Sequence, residues 1–259
     1  MIATEPIGMF GTFSQLNSGV TGTEALREYS CVPTSVANGL TFLSNYYSAP
    51  TLMLPGYGTV NTLSTDMGTT EAGTSYAGMG SGTASYFSGQ GLASSFTMAG
   101  GETSPFMVTL YDWLLADYAV EFWISWASGS GAHSLTLCGI DLYTDSGGAV
   151  TGAGTLDFID PYGGPISPSG NPSSAVVVTG ASFMTDSGGA MHITDGYTTG
   201  GAANPSNPDN TSGATTGVLV NDLAEKFTPG GGAPEPSSLV LFGAGVLALV
   251  SKCRRQTDC

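Results

Sequence analysis

The sequence of 259 residues predicts an α+β fold, in which an N-terminal helix that bears a cysteine packs on a mostly antiparallel sheet. Apolar residues recur at helical spacing directly after Cys31. Aromatic and β-branched segments dominate the second half of the chain. The turn sequence Thr-Asp-Ser-Gly-Gly occurs twice between such segments, at residues 144–148 and 185–189, as expected for β-hairpins.

The first predicted element is a helix over residues 33–47, where Val36, Leu40 and Leu43 fall on one face. Pro33 suits its first turn, because the missing N–H has no helical partner there. Residues 56–104 are rich in Gly, Ser and Thr, and predict loops with one or two short helices. A second clear helix is expected over residues 106–118.

Strands follow in the second half of the chain. Their predicted ranges are 120–126, 133–143, 156–160, 175–184 and 191–194. A glycine-rich turn is expected over residues 128–132, and a long loop over residues 199–217. We therefore expect one domain over residues 1–228 and a linker over residues 229–233.

The C-terminal tail, residues 234–259, has three parts in a fixed order. Pro234, Glu235 and Pro236 form a short polar motif, the uncharged run Leu239–Val250 follows, and a basic end closes the chain. This order resembles the PEP-CTERM sorting signal. The resemblance implies an exosortase-type processing enzyme, a transient inner-membrane anchor, and a final place at the cell surface or outside the cell. A buried C-terminal helix is the alternative interpretation.

Charge is distributed very unevenly along the chain. Of five Lys and Arg residues, only Arg27 and Lys226 precede Pro234, against eighteen Asp and Glu residues. Nucleic-acid binding is excluded, because it requires clustered cations. An anionic membrane surface is equally unsuitable as a partner.

Two cysteines, Cys31 and Cys138, precede the tail. In an oxidising compartment they predict either one disulfide, or one reactive thiol and one buried thiol. Cys31 lies at the start of a helix, where the N-terminal N–H groups favour a thiolate. Two adjacent antiparallel strands would bring His133 close to Asp160, so a nucleophile, a base and an orienting group are all available. Cys138 lies within an apolar strand, which favours a core thiol.

Three segments carry a resemblance to papain-like cysteine peptidases. They are Cys31–Asn38, His133–Asp141 and Ile159–Pro161, in the order of the family's Cys, His and Asp-Pro blocks. They are most similar to the branch that cleaves bacterial leader peptides after a double glycine. The resemblance implies a papain-like fold, with Cys31 as nucleophile, His133 as general base and acid, and Asp160 orienting the imidazole.

The family's oxyanion donor is a glutamine six residues before the cysteine, and that position is Ala25 here. Gln15 and Asn17 are the nearby amides that fit the role if an insertion intervenes. His192 is the rival histidine, without a matching motif.

The leading hypothesis is an exported cysteine peptidase that acts on peptide or isopeptide bonds. The alternative is a non-catalytic surface or extracellular-matrix protein on the same fold, associated with exopolysaccharide. No cofactor is expected. No metal is expected either, since the spacings typical of calcium and zinc ligands do not occur.

Overall fold

Helices dominate the first half of the fold and strands dominate the second. The structure is a computed structural model that describes residues 1–17, 19–100, 107–126, 132–162, 174–187, 190–193 and 217–229. Met1–Phe227 form one compact unit, and Thr228–Cys259 form a second, of which only residues 228 and 229 are described. The helices of the described residues are α1 (Glu24–Glu28), α2 (Cys31–Tyr46), α3 (Gly58–Asp66), α4 (Tyr76–Gly89) and α5 (Met107–Leu115).

The strands form one antiparallel sheet. Their bounds are β1 (Ile2–Thr4), β2 (Phe96–Gly100), β3 (Ala119–Trp126), β4 (Ala132–Thr144), β5 (Val150–Asp160), β6 (Val176–Thr185), β7 (Met191–Ile193) and β8 (Gly217–Phe227). The strand order is β1-β4-β3-β8-β7-β6-β5, and β4 also pairs with β5. Six strands therefore close into a ring, to which β1 adds at β4 and β2 adds at β8.

Two apolar clusters hold these elements together. The first joins α2, α3 and α4 to the sheet and includes Val36, Leu40 and Leu43, the residues whose spacing predicts α2. Each of these side chains is fully buried, which stabilises the fold by about 1.5–3 kcal/mol per side chain. The second cluster joins side chains of the ring strands to Leu110 and Leu114 of α5. The mixture of helices and antiparallel sheet confirms the predicted α+β class.

Residues 56–104 are more regular than the sequence predicts. They contain α3, α4 and β2, although α4 includes several glycines. The helix forms despite these glycines, because two of them allow α4 to pack closely against Met67. A Cβ atom on Gly82 would lie 2.5 Å from Met67, and one on Gly78 would lie 2.5 Å from the Met67 carbonyl oxygen. Tertiary packing here outweighs the low helix propensity of glycine.

Neither strand β1 nor helix α1 was predicted. The other predicted elements match their ranges closely, with two differences in where they begin. Helix α2 begins at Cys31, two residues earlier than predicted, and β5 begins at Val150. Strand β8 was not predicted, yet it pairs with β3 over most of its length. The predicted turn at 128–132 and loop at 199–217 lie almost entirely outside the described residues, as does the linker.

Candidate active site

Cys31 is the first residue of α2, and its side chain is half-buried. The short helix α1 ends just before it, and Ser30 ties the two helices together by donating from Oγ to the Leu26 carbonyl oxygen at 2.7 Å. Pro33 lies in the first turn of α2, where the lost N–H costs no helical hydrogen bond. The thiol therefore lies at the positive end of the helix dipole, which favours its thiolate form.

His133 and Asp160 lie at neighbouring ends of two paired strands. His133 is at the start of β4 and Asp160 is the last residue of β5, and the two strands pair with Thr136 opposite Ile159. The His133 Nε2 atom lies 2.7 Å from Asp160 Oδ1, and both side chains are buried. The same oxygen accepts the Tyr162 backbone N–H at 2.9 Å, which fixes the carboxylate.

The imidazole links the carboxylate to the thiol. Burial alone would lower the pKa of His133, but the charge and hydrogen bond of Asp160, and those of Cys31, raise it to about 10. Because Nε2 engages Asp160, Nδ1 is the ring nitrogen that faces the sulfur. The sequence-predicted residues Cys31, His133 and Asp160 thus lie together in one hydrogen-bonded row.

The thiol responds to the same contacts in the opposite direction. Burial alone would raise the pKa of Cys31, but three kinds of contact outweigh it and lower the pKa. They are the hydrogen bond and charge of His133, the backbone N–H of Ser134, and the backbone N–H of Val32. These contacts therefore favour the thiolate form of Cys31 and the protonated form of His133.

Gln15 lies close to this row, whereas Asn17 is used elsewhere. The Gln15 backbone N–H donates to the Pro161 carbonyl oxygen at 2.8 Å, and its Nε2 donates to the Glu28 carbonyl oxygen at 2.5 Å. The side chain is fully buried, and Glu28, which accepts its hydrogen bond, lies three residues before Cys31 in the chain. Helix α1 lies between the glutamine and the cysteine in the chain. The carboxamide oxygen of Asn17, in contrast, accepts the Gly19 N–H in an exposed turn.

Three buried hydroxyls at the site were not singled out from the sequence. Ser134 Oγ lies 2.6 Å from Ser35 Oγ, which in turn donates to the Val32 carbonyl oxygen at 3.0 Å. Thr136 donates from Oγ1 to the Ser35 carbonyl oxygen at 2.8 Å. A signal was available, because Ser134 and Thr136 alternate with leucines on an otherwise apolar strand.

Cys138 and the rival histidine lie apart from the row. Cys31 and Cys138 are both free thiols, so the disulfide alternative is not formed between them. Cys138 is buried in the apolar cluster under α2, and burial raises its pKa far above the usual range. His192 instead pairs with Asp186 at 2.9 Å in a surface hairpin. Within the described ranges, no group of three or more His, Cys, Asp or Glu side chains is arranged to hold a metal ion.

The comparisons with known proteins concern the tail. No curated protein matches the chain. The tail, including Pro234, Glu235 and Pro236, lies outside the described residues, and so does the predicted apolar span. Within the part of the chain that is described, we find no helix with the length and apolarity needed to cross a membrane. Residues 233–255 match the PEP-CTERM protein-sorting motif, which suggests an exported, cell-surface protein that an exosortase-type enzyme processes.

Proposed function

We propose that the chain is an exported cysteine peptidase on a papain-like fold, which cleaves peptide or isopeptide bonds. Cys31 is the nucleophile, His133 the general base and acid, and Asp160 the residue that orients the imidazole. One observation carries the proposal. A thiol at a helix N-terminus is hydrogen-bonded to an imidazole whose far nitrogen lies 2.7 Å from a buried carboxylate.

The first half of the reaction forms a thioester. The Cys31 thiolate attacks the carbonyl carbon of the substrate, a C–S bond forms, and negative charge develops on the carbonyl oxygen. The C–N bond then breaks, and the His133 imidazolium gives its proton to the leaving amine. Asp160 holds the ring in place throughout, because its carboxylate accepts the Nε2 hydrogen.

The second half returns the enzyme to its starting state. Neutral His133 takes a proton from a water molecule, whose oxygen attacks the thioester carbon. The C–S bond breaks, the substrate's acyl part leaves as a carboxylic acid, and the thiolate–imidazolium pair is restored. No group outside the chain and the water is required.

Gln15 is the donor that we assign to the oxyanion, together with the backbone N–H of Cys31. A primary amide carries two N–H donors. The Glu28 carbonyl oxygen accepts one of these N–H groups, so we assign the second N–H to the oxyanion. Loss of an oxyanion donor reduces turnover by roughly a hundredfold to a thousandfold, and we expect that loss for Gln15→Ala. We do not assign Asn17 to the oxyanion, because its carboxamide oxygen accepts the Gly19 N–H.

A peptidase assay with two matched cysteine variants tests the proposal. The chain, freed of its tail, is incubated with a mixed peptide library at pH 6 to 8, and new N-termini are counted by mass spectrometry. We expect cleavage by the wild type and by Cys138→Ser, and none by Cys31→Ser. Cleavage that survives in Cys31→Ser contradicts the assignment of the nucleophile.

The reactivity of the thiol provides a second, independent test. Iodoacetamide at pH 6 is expected to alkylate Cys31 quickly, because a thiolate beside an imidazolium persists there. His133→Ala is expected to abolish this reactivity, and Asp160→Asn to weaken it less, since the partner of the thiol remains. A wild-type thiol that reacts only near the pKa of free cysteine, about 8.5, contradicts the peptidase. Binding to exopolysaccharide without any cleavage then favours the matrix protein.

A further inference from the structure

We propose that Ser35 and Ser134 are positioning residues, which hold the backbone N–H of Ser134 against the sulfur of Cys31. The inference rests on the proposed function, since it concerns the same thiol. It assigns a role to two side chains that touch neither the substrate nor the reacting atoms.

The hydrogen bonds have one consistent direction. The Ser35 hydroxyl has a single proton, which it donates to the Val32 carbonyl oxygen at 3.0 Å. In the 2.6 Å contact between the two hydroxyls, Ser134 is therefore the donor and Ser35 the acceptor. Thr136 fixes the same turn of α2 by donating to the Ser35 carbonyl oxygen at 2.8 Å. All three side chains are fully buried, so water does not compete for these bonds.

These bonds join the two elements that carry the reacting pair. Ser35 lies one helical turn after Cys31 on α2, and Ser134 follows His133 directly on β4. The side chain of Ser134 is bonded to the helix, while its backbone N–H donates to the Cys31 sulfur. A shift of β4 relative to α2 would thus lengthen the Ser134–Ser35 bond, the N–H contact to sulfur and the contact of His133 to sulfur together. The hydroxyl pair fixes the spacing on which the thiolate depends.

A double-mutant cycle on the full chain tests this role. The variants are Ser35→Ala, Ser134→Ala and the combination of the two. The measured quantity is the midpoint of Cys31 alkylation by iodoacetamide against pH. Ser44→Ala is the matched control, because it removes a buried serine hydroxyl from the same helix. The Ser44 hydroxyl donates to the Ala49 carbonyl oxygen at 3.1 Å.

We expect each single variant to raise the midpoint by about half a pH unit to one unit, and to slow alkylation at pH 6 about threefold or more. The double variant is expected to match the single variants, because both act through one bond. The double variant also leaves no orphaned hydroxyl, unlike Ser35→Ala, in which the Ser134 hydroxyl loses its acceptor. Ser44→Ala is expected to lower the melting temperature without moving the midpoint.

The outcomes separate this inference from the proposed function. If the wild-type midpoint is low and the double variant leaves it unchanged, the positioning role is wrong and the thiolate pair stands. A shift in the double variant that equals the sum of the two single shifts would also contradict a role through the shared bond. A wild-type midpoint near that of free cysteine overturns both the pair and the positioning role.

Discussion

Replacing Glu225 with glutamine should make the fold more stable at alkaline pH. Glu225 on β8 and Glu121 on β3 belong to neighbouring strands, two positions apart in register, and both are fully buried. Burial raises the pKa of Glu225 to about 7, although the neighbouring Glu121 carboxyl opposes the rise. Burial, followed by the charge of Glu225, raises the pKa of Glu121 further.

In the described part of the chain, the residues paired with these two glutamates across the sheet are uncharged. Glu121 lies opposite Leu223 on β8 and Thr136 on β4, and directly beneath Gly39 of α2. Glu225 lies opposite Met98 on β2. Burial is the largest cause of the raised pKa of both carboxyls, and the charge of Glu225 raises the pKa of Glu121 further. Ionisation of the pair is therefore a cost to the folded state.

The sign of the pH effect follows from proton linkage. In the folded chain Glu225 keeps its proton up to about pH 7, whereas the unfolded chain releases it near 4.5. Between these values the folded state binds more protons, so stability falls as pH rises. At about 1.4 kcal/mol for each pH unit, the loss amounts to about 3 kcal/mol by neutral pH. The contribution of protonated Glu225 to stability is fully present below pH 4.5 and is lost as the pH rises through about 7.

Urea unfolding, followed by tryptophan fluorescence at pH 5 and pH 8, measures this loss. We expect Glu225→Gln to be about 3 kcal/mol more stable than the wild type at pH 8 and nearly equal to it at pH 5. Glu71→Gln, a change at an exposed glutamate, is the control and should leave the pH dependence unaltered. Equal pH dependence in the wild type and Glu225→Gln would refute the reasoning.

Three further predictions concern packing, protease sites and sorting. Gly39→Ala should lower the free energy of unfolding by about 1–3 kcal/mol, because the new methyl group overlaps the Glu121 carboxyl. Thermal unfolding measures this loss, and an unchanged stability contradicts that contact. Trypsin should cut the denatured chain into one large fragment between Arg27 and Lys226, and several mid-sized fragments would contradict the sequence. The extracellular form should lack the tail from about Pro236 onward; intact mass decides this, and a retained basic end contradicts it.

Local patterns predicted the elements that bear the candidate site. The spacing of Val36, Leu40 and Leu43 predicted α2, because all three side chains pack into one apolar cluster. Strands β4 and β5 were predicted because their core residues form apolar runs bounded by turn residues. Once the helix and the two strands were in place, three chemically distinctive residues sufficed to suggest the row of Cys31, His133 and Asp160.

Features that depend on distant contacts were not predicted. Strand β8 lies between β3 and β7 in the ring, although nearly a hundred residues separate it from β3 in the chain, and no local pattern specifies such a pairing. Gln15 reaches the site only because the loop before α1 returns to Pro161. Glutamate is among the residues least often buried in proteins, yet Glu121 and Glu225 are both buried.

The contacts beneath α2 explain why the helix itself was predictable from the sequence and its exact position on the sheet was not. Apolar contacts are non-directional, so the cluster around Leu40 specifies a buried face but tolerates a small slide of the helix. Polar contacts do not tolerate it. The Ser35–Ser134 bond fixes the N-terminal turn, and the Glu121 carboxyl fits only beneath a residue without a side chain, Gly39. A slide of one residue would orphan buried hydroxyls at one point and drive a methylene into a carboxyl at the other, and each error costs free energy. The polar groups, rather than the apolar face, therefore determine where Cys31 stands relative to His133.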